Sequence, residues 1–348
     1  MSIITIIGAG MMGSAMSYPA TENSHEVRLV GTPLDRDIIE HAVKTGEHLT
    51  LKRKLPSGIK FFQFEEFSKA LTGADVLISG VNSFGVDWFM TEILPLVPQT
   101  LPILSITKGM ITDPDDTLVS YPKLYSKSYY GKNLSINAVG GPCTSYELAD
   151  HDQTEVCFCG KDIEILRKFK ALFETPYYHI SLSTDVEGVE YAVALKNAYA
   201  LGVTLAVGLS ERKEGIGGTQ HYNSQAALFG QSIREIRKLL KLAKVQDDNI
   251  IFAAGDLYVT IFGGRTRKIG TLLGRGLSFK EAISELNGVT LESIVISTRT
   301  AAALRSMINK GIADPADFPL LLHIDDIINH GAPIDIDWNA FTTEYKGN

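Results

Sequence analysis

Up to about residue 184, short β-rich runs alternate with helical patterns, and this alternation constrains the fold more than any other feature of the chain. The runs cover residues 3–7, 27–30, 59–62, 76–79, 103–106, 134–139, 155–159 and 177–182. Most are apolar throughout, as parallel strands covered on both faces are. Between them, 11–20, 35–44, 64–71, 85–94 and 163–173 carry helical spacing. Beyond Ser183, Thr184 and Asp185, good N-cap residues, the β-rich runs stop and helix-compatible patterns continue to about residue 330. The expected architecture is therefore an α/β domain over 1–184, a doubly wound sheet, followed by an all-α domain over 185–348. The tail 332–348 carries mixed signals and receives no element.

Composition narrows the function classes. The 348 residues are 45% hydrophobic, enough for two cores, and 33 Lys+Arg against 40 Asp+Glu give a formal charge of -7 that repels polyanions and argues against nucleic acid. Cys143, Cys157 and Cys159 match neither a zinc spacing nor a disulfide framework, so a reducing, cytoplasmic compartment is expected. Met1 leads into S-I-I-T-I-I without the marks of an export signal. The apolar stretch 186–209 approaches a membrane span in length, but Glu187, Glu190, Lys196 and Asn197 interrupt it, which favours a buried helix without membrane insertion. Over 225–243, Leu228, Ile236, Leu239, Leu240 and Ala243 face away from Arg234, Arg237, Lys238 and Lys241, the pattern of a core helix with a solvated basic side. His41, His48 and His179 lie near acidic residues without metal-ligand spacing, so no metal is expected.

Directly after the first run stands G-A-G-M-M-G, residues 8–13. Gly8 permits a tight turn, Gly10 lets the backbone approach a pyrophosphate, Gly13 allows strand and helix to pack closely, and Met11 and Met12 open the helix whose N-terminus faces the anion. This context points to a Rossmann-type dinucleotide site, the alternative being an ordinary glycine turn. An acidic side chain after the second strand selects NAD and a basic one NADP. Here Val30 is followed by Gly31, Thr32 and Pro33, then Asp35 and Arg36; NAD is the expectation and NADP is accommodated.

Three further clusters carry polar chemistry. Lys108, in S-I-T-K-G-M, falls at the carboxyl end of a strand, where ligands of open parallel sheets lie, although lysines are also common at such surface positions. Lys196 sits in A-V-A-L-K-N-A-Y-A-L, apolar on nearly every face; a desolvated amine there suits proton transfer, the alternative being an ammonium that snorkels to water. Asn197 adds a neutral amide one residue on. In G-D-L-Y-V-T-I-F-G-G-R-T-R-K, residues 255–268, Gly263, Gly264, Arg265 and Thr266 suit a small phosphate at a helix start, the alternative being a solvated turn, and Asp256 is placed either to pair a lysine or to cap a helix.

In this order these motifs resemble the NAD(P)-dependent glycerol-3-phosphate dehydrogenases: the glycine fingerprint, S-x-x-K-G at Lys108, G-P at Gly141 and Pro142, A-L-K-N at 194–197, and G-D-L-x-x-T with G-G-R at 255–265. The resemblance implies interconversion of glycerol 3-phosphate and dihydroxyacetone phosphate with a nicotinamide cofactor. It assigns Lys196 as general acid/base, Lys108 to substrate and to the cofactor side, Asn197 and Asp256 to the polar site, Thr260 and Arg265 to substrate with the arginine on the phosphate, and Glu292 to the cofactor. Thr32 and Thr266 flank the cofactor and phosphate positions. The chain departs from the family at Thr266, usually asparagine, at Cys143-Thr144-Ser145 after G-P, and at Ser293, usually glycine. A small phosphorylated substrate and a homodimer are the expected partners. A dehydrogenase of another phosphorylated polyol or ketose is the alternative, ahead of a dinucleotide sensor without turnover.

Overall fold

The computed structural model describes residues 1–113, 117–286 and 291–344. The chain divides into two units, Met1–Gly109 with Ser120–Glu190, and Met110–Val119 with Tyr191–Asn348.

In the first unit, β1 (Ile3–Ile7), β2 (Glu26–Val30), β3 (Lys60–Phe62), β4 (Val76–Ser79), β5 (Ile103–Ser105), β8 (Ile136–Gly140), β9 (Thr154–Cys159) and β10 (Tyr178–Ser183) form one sheet in the order β10-β9-β8-β5-β4-β1-β2-β3. Six strands are mutually parallel, with β1 central: Ile4 pairs with Val27 of β2 and Val76 of β4. The sheet is not parallel throughout, because β8 and β9 pair antiparallel, Val139 opposite Phe158, while β9 and β10 run together. The link between β8 and β9 holds only the five-residue helix Ser145–Ala149, and an antiparallel neighbour needs no crossover helix. Ile4, Ile6, Val76, Ile78 and Leu104 are fully buried, as strands covered on both faces require. Helices α1 (Met11–Ala15), α2 (Arg36–Thr45) and α3 (Ile163–Phe173) flank the sheet. The helix expected over 85–94 is broken into short turns, one of them the π-turn Phe89–Ile93.

Among the described residues the second unit is helical apart from β6 (Met110–Thr112), which pairs with β7 (Leu118–Ser120), whose last residue belongs to the first unit. Neither three-residue strand is long enough to leave a period in the sequence. The longer helices of this unit are α4 (Val186–Glu214, whose first turn lies in the first unit), α5 (Tyr222–Leu242), α6 (Ile250–Ile261), α7 (Gly264–Gly274), α8 (Glu292–Asn309) and α9 (Pro319–His330). Asp185 caps α4, its Oδ1 accepting from Gly188 N at 3.1 Å. The apolar window of α4 is 83% buried, so its hydrophobicity is spent on the protein core. On α5, Leu228, Ile236 and Leu240 are buried, as the amphipathic spacing requires. Buried Glu235 of the same helix accepts from Leu320 N and Leu321 N at 2.8 and 2.9 Å, holding the start of α9. Helices α4 and α7 approach backbone to backbone: a Cβ on Gly208 would lie 2.1 Å from Thr271 O, and one on Gly274 would lie 2.2 Å from Leu205 O. Only glycine permits this crossing, which sets where α7 presents its first residues.

Candidate active site

The glycine loop joins β1 to α1. Gly8 adopts φ +105°, and its N–H donates to Val30 O at 2.9 Å, fixing the loop to the end of β2. A Cβ on Gly13 would lie 2.1 Å from Gly8 O, whereas one on Gly10 meets nothing within 4 Å. Two glycines thus close the turn, and the third leaves open space over the backbone at the start of α1. These residues fit a dinucleotide pyrophosphate. Met11 and Met12 follow as the first residues of α1, Met11 partly exposed.

Ala9, between Gly8 and Gly10, is gripped through its N–H and its C=O by two side chains that sequence reasoning did not connect to it. Ala9 N donates to Asp35 Oδ2 at 3.1 Å, and Ala9 O is 2.8 Å from His48 Nε2. The same Asp35 oxygen accepts from Thr32 N at 2.9 Å and from Thr32 Oγ1 at 2.8 Å. Asp35, weighed above for the choice between NAD and NADP, is therefore a brace for the loop, and Thr32 is its partner. Arg36, first residue of α2, pairs with Glu65. Nothing local in the sequence marks His48, since its bond spans 39 residues.

Lys108 follows β5, and its Nζ donates to Gly141 O at 2.6 Å, so the S-x-x-K-G and G-P motifs meet. Gly109 at φ +144° lies against Tyr121, where a Cβ would come within 2.6 Å of the ring. Glu190 is wholly buried, and neither carboxylate oxygen has a hydrogen-bond partner among the described residues. Burial pushes its pKa up to about 8, partly offset by the Lys108 charge. After G-P, Thr144 caps the next helix, accepting from Glu147 N and donating to Glu147 Oε2 at 2.7 Å. That departure from the family pattern thus has a local structural use.

In the second unit, Lys196 Nζ forms a close ion pair with Asp256 Oδ1. Their side chains are 13% and 2% exposed, so the lysine does not snorkel out but meets a carboxylate inside. Asp256 and Thr260 sit one turn apart on α6, where Thr260 Oγ1 donates to Asp256 O at 2.6 Å. Asn197 is half-buried beside Lys196 on α4. Arg265, exposed, and Thr266 lie in the first turn of α7 after Gly263 and left-handed Gly264, as expected of a helix start. Arg267 instead turns back, donating to Ile261 O at 2.6 Å. Glu292 opens α8, and Ser293 beside it is buried. Of the possible metal ligands, Asp325, Asp326 and His330 cluster, but Arg305 pairs with both aspartates.

The glycine loop of the first unit fits a dinucleotide and the amine of the second is desolvated beside a carboxylate; the family comparisons place the chain among the nicotinamide-dependent oxidoreductases acting on CH–OH. Models of the NAD-dependent glycerol-3-phosphate dehydrogenase N-terminus and C-terminus match residues 3–166 and 185–337. The chain belongs to the NAD-dependent glycerol-3-phosphate dehydrogenase family. It is 32% identical over 337 residues to the NADP(+)-dependent glycerol-3-phosphate dehydrogenase of Archaeoglobus fulgidus, covering 96% of this chain and 97% of that one. A glycerol-3-phosphate dehydrogenase [NAD(P)+] of Koribacter versatilis is 27% identical, covering 87% and 88%. Among solved structures, the Plasmodium falciparum glycerol-3-phosphate dehydrogenase superposes with a TM-score of 0.81 at 20% identity over 99% of this chain and 96% of that one. The Coxiella burnetii enzyme gives 0.77 at 20% identity over 98% and 97%, and both establish the shared fold.

Proposed function

We propose that this chain is an NAD(P)-dependent oxidoreductase that interconverts sn-glycerol 3-phosphate and dihydroxyacetone phosphate. The observation that carries the reading is the buried Lys196–Asp256 pair, a lysine desolvated yet held by a carboxylate on α6. When bound, the nicotinamide supplies or accepts hydride at the substrate's C2. As the neutral amine, Lys196 takes the C2 hydroxyl proton during oxidation, and as the ammonium it returns that proton during reduction. Asp256 orients the amine and balances its charge when protonated. Asn197 binds the C2 oxygen with its amide, Thr260 contacts the substrate, and Arg265, with Thr266 beside it, binds the phosphate from the start of α7. In the first unit Lys108, aligned by Gly141 O, carries a substrate-side positive charge, and Gly8, Gly10, Met11, Met12, Gly13 and Thr32 form the dinucleotide side. Glu292 completes the set on the cofactor side.

This reading adds a cytoplasmic location and a homodimer. The buried Cys157 and Cys159 support the first, and the exposed Ile251 and Tyr258 on α6, with Phe262 at its end, support the second.

The test is a panel of dihydroxyacetone phosphate, unphosphorylated dihydroxyacetone and other phosphorylated ketoses with NADH and NADPH, followed at the nicotinamide absorbance. Lys196→Met is expected to lose ~100- to 10,000-fold in turnover while still binding dinucleotide. Near-normal turnover in that variant removes Lys196 from the mechanism, and equal rates with dihydroxyacetone and its phosphate remove the phosphate assignment.

A further inference from the structure

We propose that His48 is a positioning residue for the dinucleotide, acting through the Ala9 peptide; the proposal rests on the cofactor reading above. His48 is completely buried, and every described bond to its ring serves one arrangement. Nδ1 accepts from Leu51 N at 2.9 Å and Thr50 N at 3.2 Å, so the ring proton sits on Nε2, which donates to Ala9 O at 2.8 Å. Burial lowers the ring's pKa, against the opposing influence of the Ala9 carbonyl and Asp35, and so favours the same neutral form.

The loop bearing His48 is itself anchored. His48 N donates to Arg53 O at 2.9 Å, Leu55 N donates to Gly46 O at 2.8 Å, and Leu51 is fully buried. Asp35 holds the N–H of Ala9 while His48 holds its C=O. The two are 13 positions apart; Asp35 holds the Gly8–Ala9 peptide plane and His48 the Ala9–Gly10 plane, so Ala9 is fixed on both sides. Gly10 comes next, with open space where a side chain would stand, so the orientation of the Ala9 peptide sets the backbone offered to the pyrophosphate. Ser14 Oγ also donates to Ala9 O, at 3.3 Å, but it belongs to α1 and moves with the loop. His48 tethers the peptide to a separate, buried part of the unit.

The experiment titrates NADH and NADPH, by nicotinamide fluorescence, into the full-length protein, His48→Phe and His48→Gln, with thermal unfolding of each. The phenylalanine fills the volume without a donor, leaving Ala9 O short of its main partner. The glutamine restores an N–H for Ala9 O and a carbonyl for Leu51 N. His48→Phe is expected to weaken dinucleotide binding about tenfold. Its KM for the dinucleotide rises in parallel while its KM for dihydroxyacetone phosphate holds, and His48→Gln recovers most of the loss. If His48→Phe does not fold, His48→Asn replaces it, keeping an acceptor for Leu51 while falling short of Ala9 O. Unchanged dinucleotide affinity in the folded variant, with only the melting temperature lowered, overturns the proposal and leaves the cofactor reading standing. A parent protein that binds neither dinucleotide overturns both.

Discussion

At the scale of single residues, the glycine loop separates space from strain. Gly10 adopts φ -64° and ψ 173°, a conformation open to any L-residue, and a side chain there meets nothing within 4 Å. Gly10→Val is therefore expected to unfold within about 0.5 kcal/mol of the parent while losing dinucleotide affinity sharply, because the branched side chain occupies the pyrophosphate position. Gly13→Ala should do the opposite first: its Cβ would stand 2.1 Å from Gly8 O, so the loop shifts and the melting temperature falls. Calorimetric titration and thermal unfolding of both variants check the pair, and a Gly10→Val protein that binds as well as the parent would reduce the motif to a turn. All three glycines were legible because their spacing is local. The His48–Ala9 bond was not, because it joins residues 39 apart that carry no shared pattern.

Among the elements, α4 explains how far a sequence pattern can be read. Its all-round apolar character foretold a buried helix, and Lys196 stood out by costing so much in that setting. The partner on α6 was narrowed only to a choice between pairing a lysine and capping a helix, since which turn of α6 faces which turn of α4 is decided by packing. Glu190, two turns earlier on α4, registered in the sequence only as an interruption. It retains its proton up to about pH 8 when folded, whereas an unfolded glutamate sheds it near 4.5. The native state then holds more protons across that window, so the Glu190 contribution to stability falls as pH rises, by at most ~1.4 kcal/mol per pH unit. Urea unfolding across the window should show a parent slope that Glu190→Gln flattens. Identical slopes would mean that the carboxyl titrates normally. The sheet was legible in its strands but not in its β8–β9 direction, because an apolar run records burial and says nothing of polarity.

At the scale of the whole molecule, the chain passes between its units after Gly109, after Val119 and after Glu190. The segment Met110–Val119, encoded amid the sheet, supplies the helical unit with a buried Met110; Arg299 donates to Met110 O at 2.8 Å and Tyr191 OH to Leu118 O at 2.8 Å. A fragment of residues 185–348 is thus expected to melt lower and less cooperatively than the same fragment supplemented with a peptide of residues 110–119, as read by circular dichroism. A supplement without effect would make that segment dispensable. For chimaeras between relatives the same route has a practical meaning: a single splice after Glu190 transplants an incomplete module, and exchanging the dinucleotide half cleanly takes three junctions.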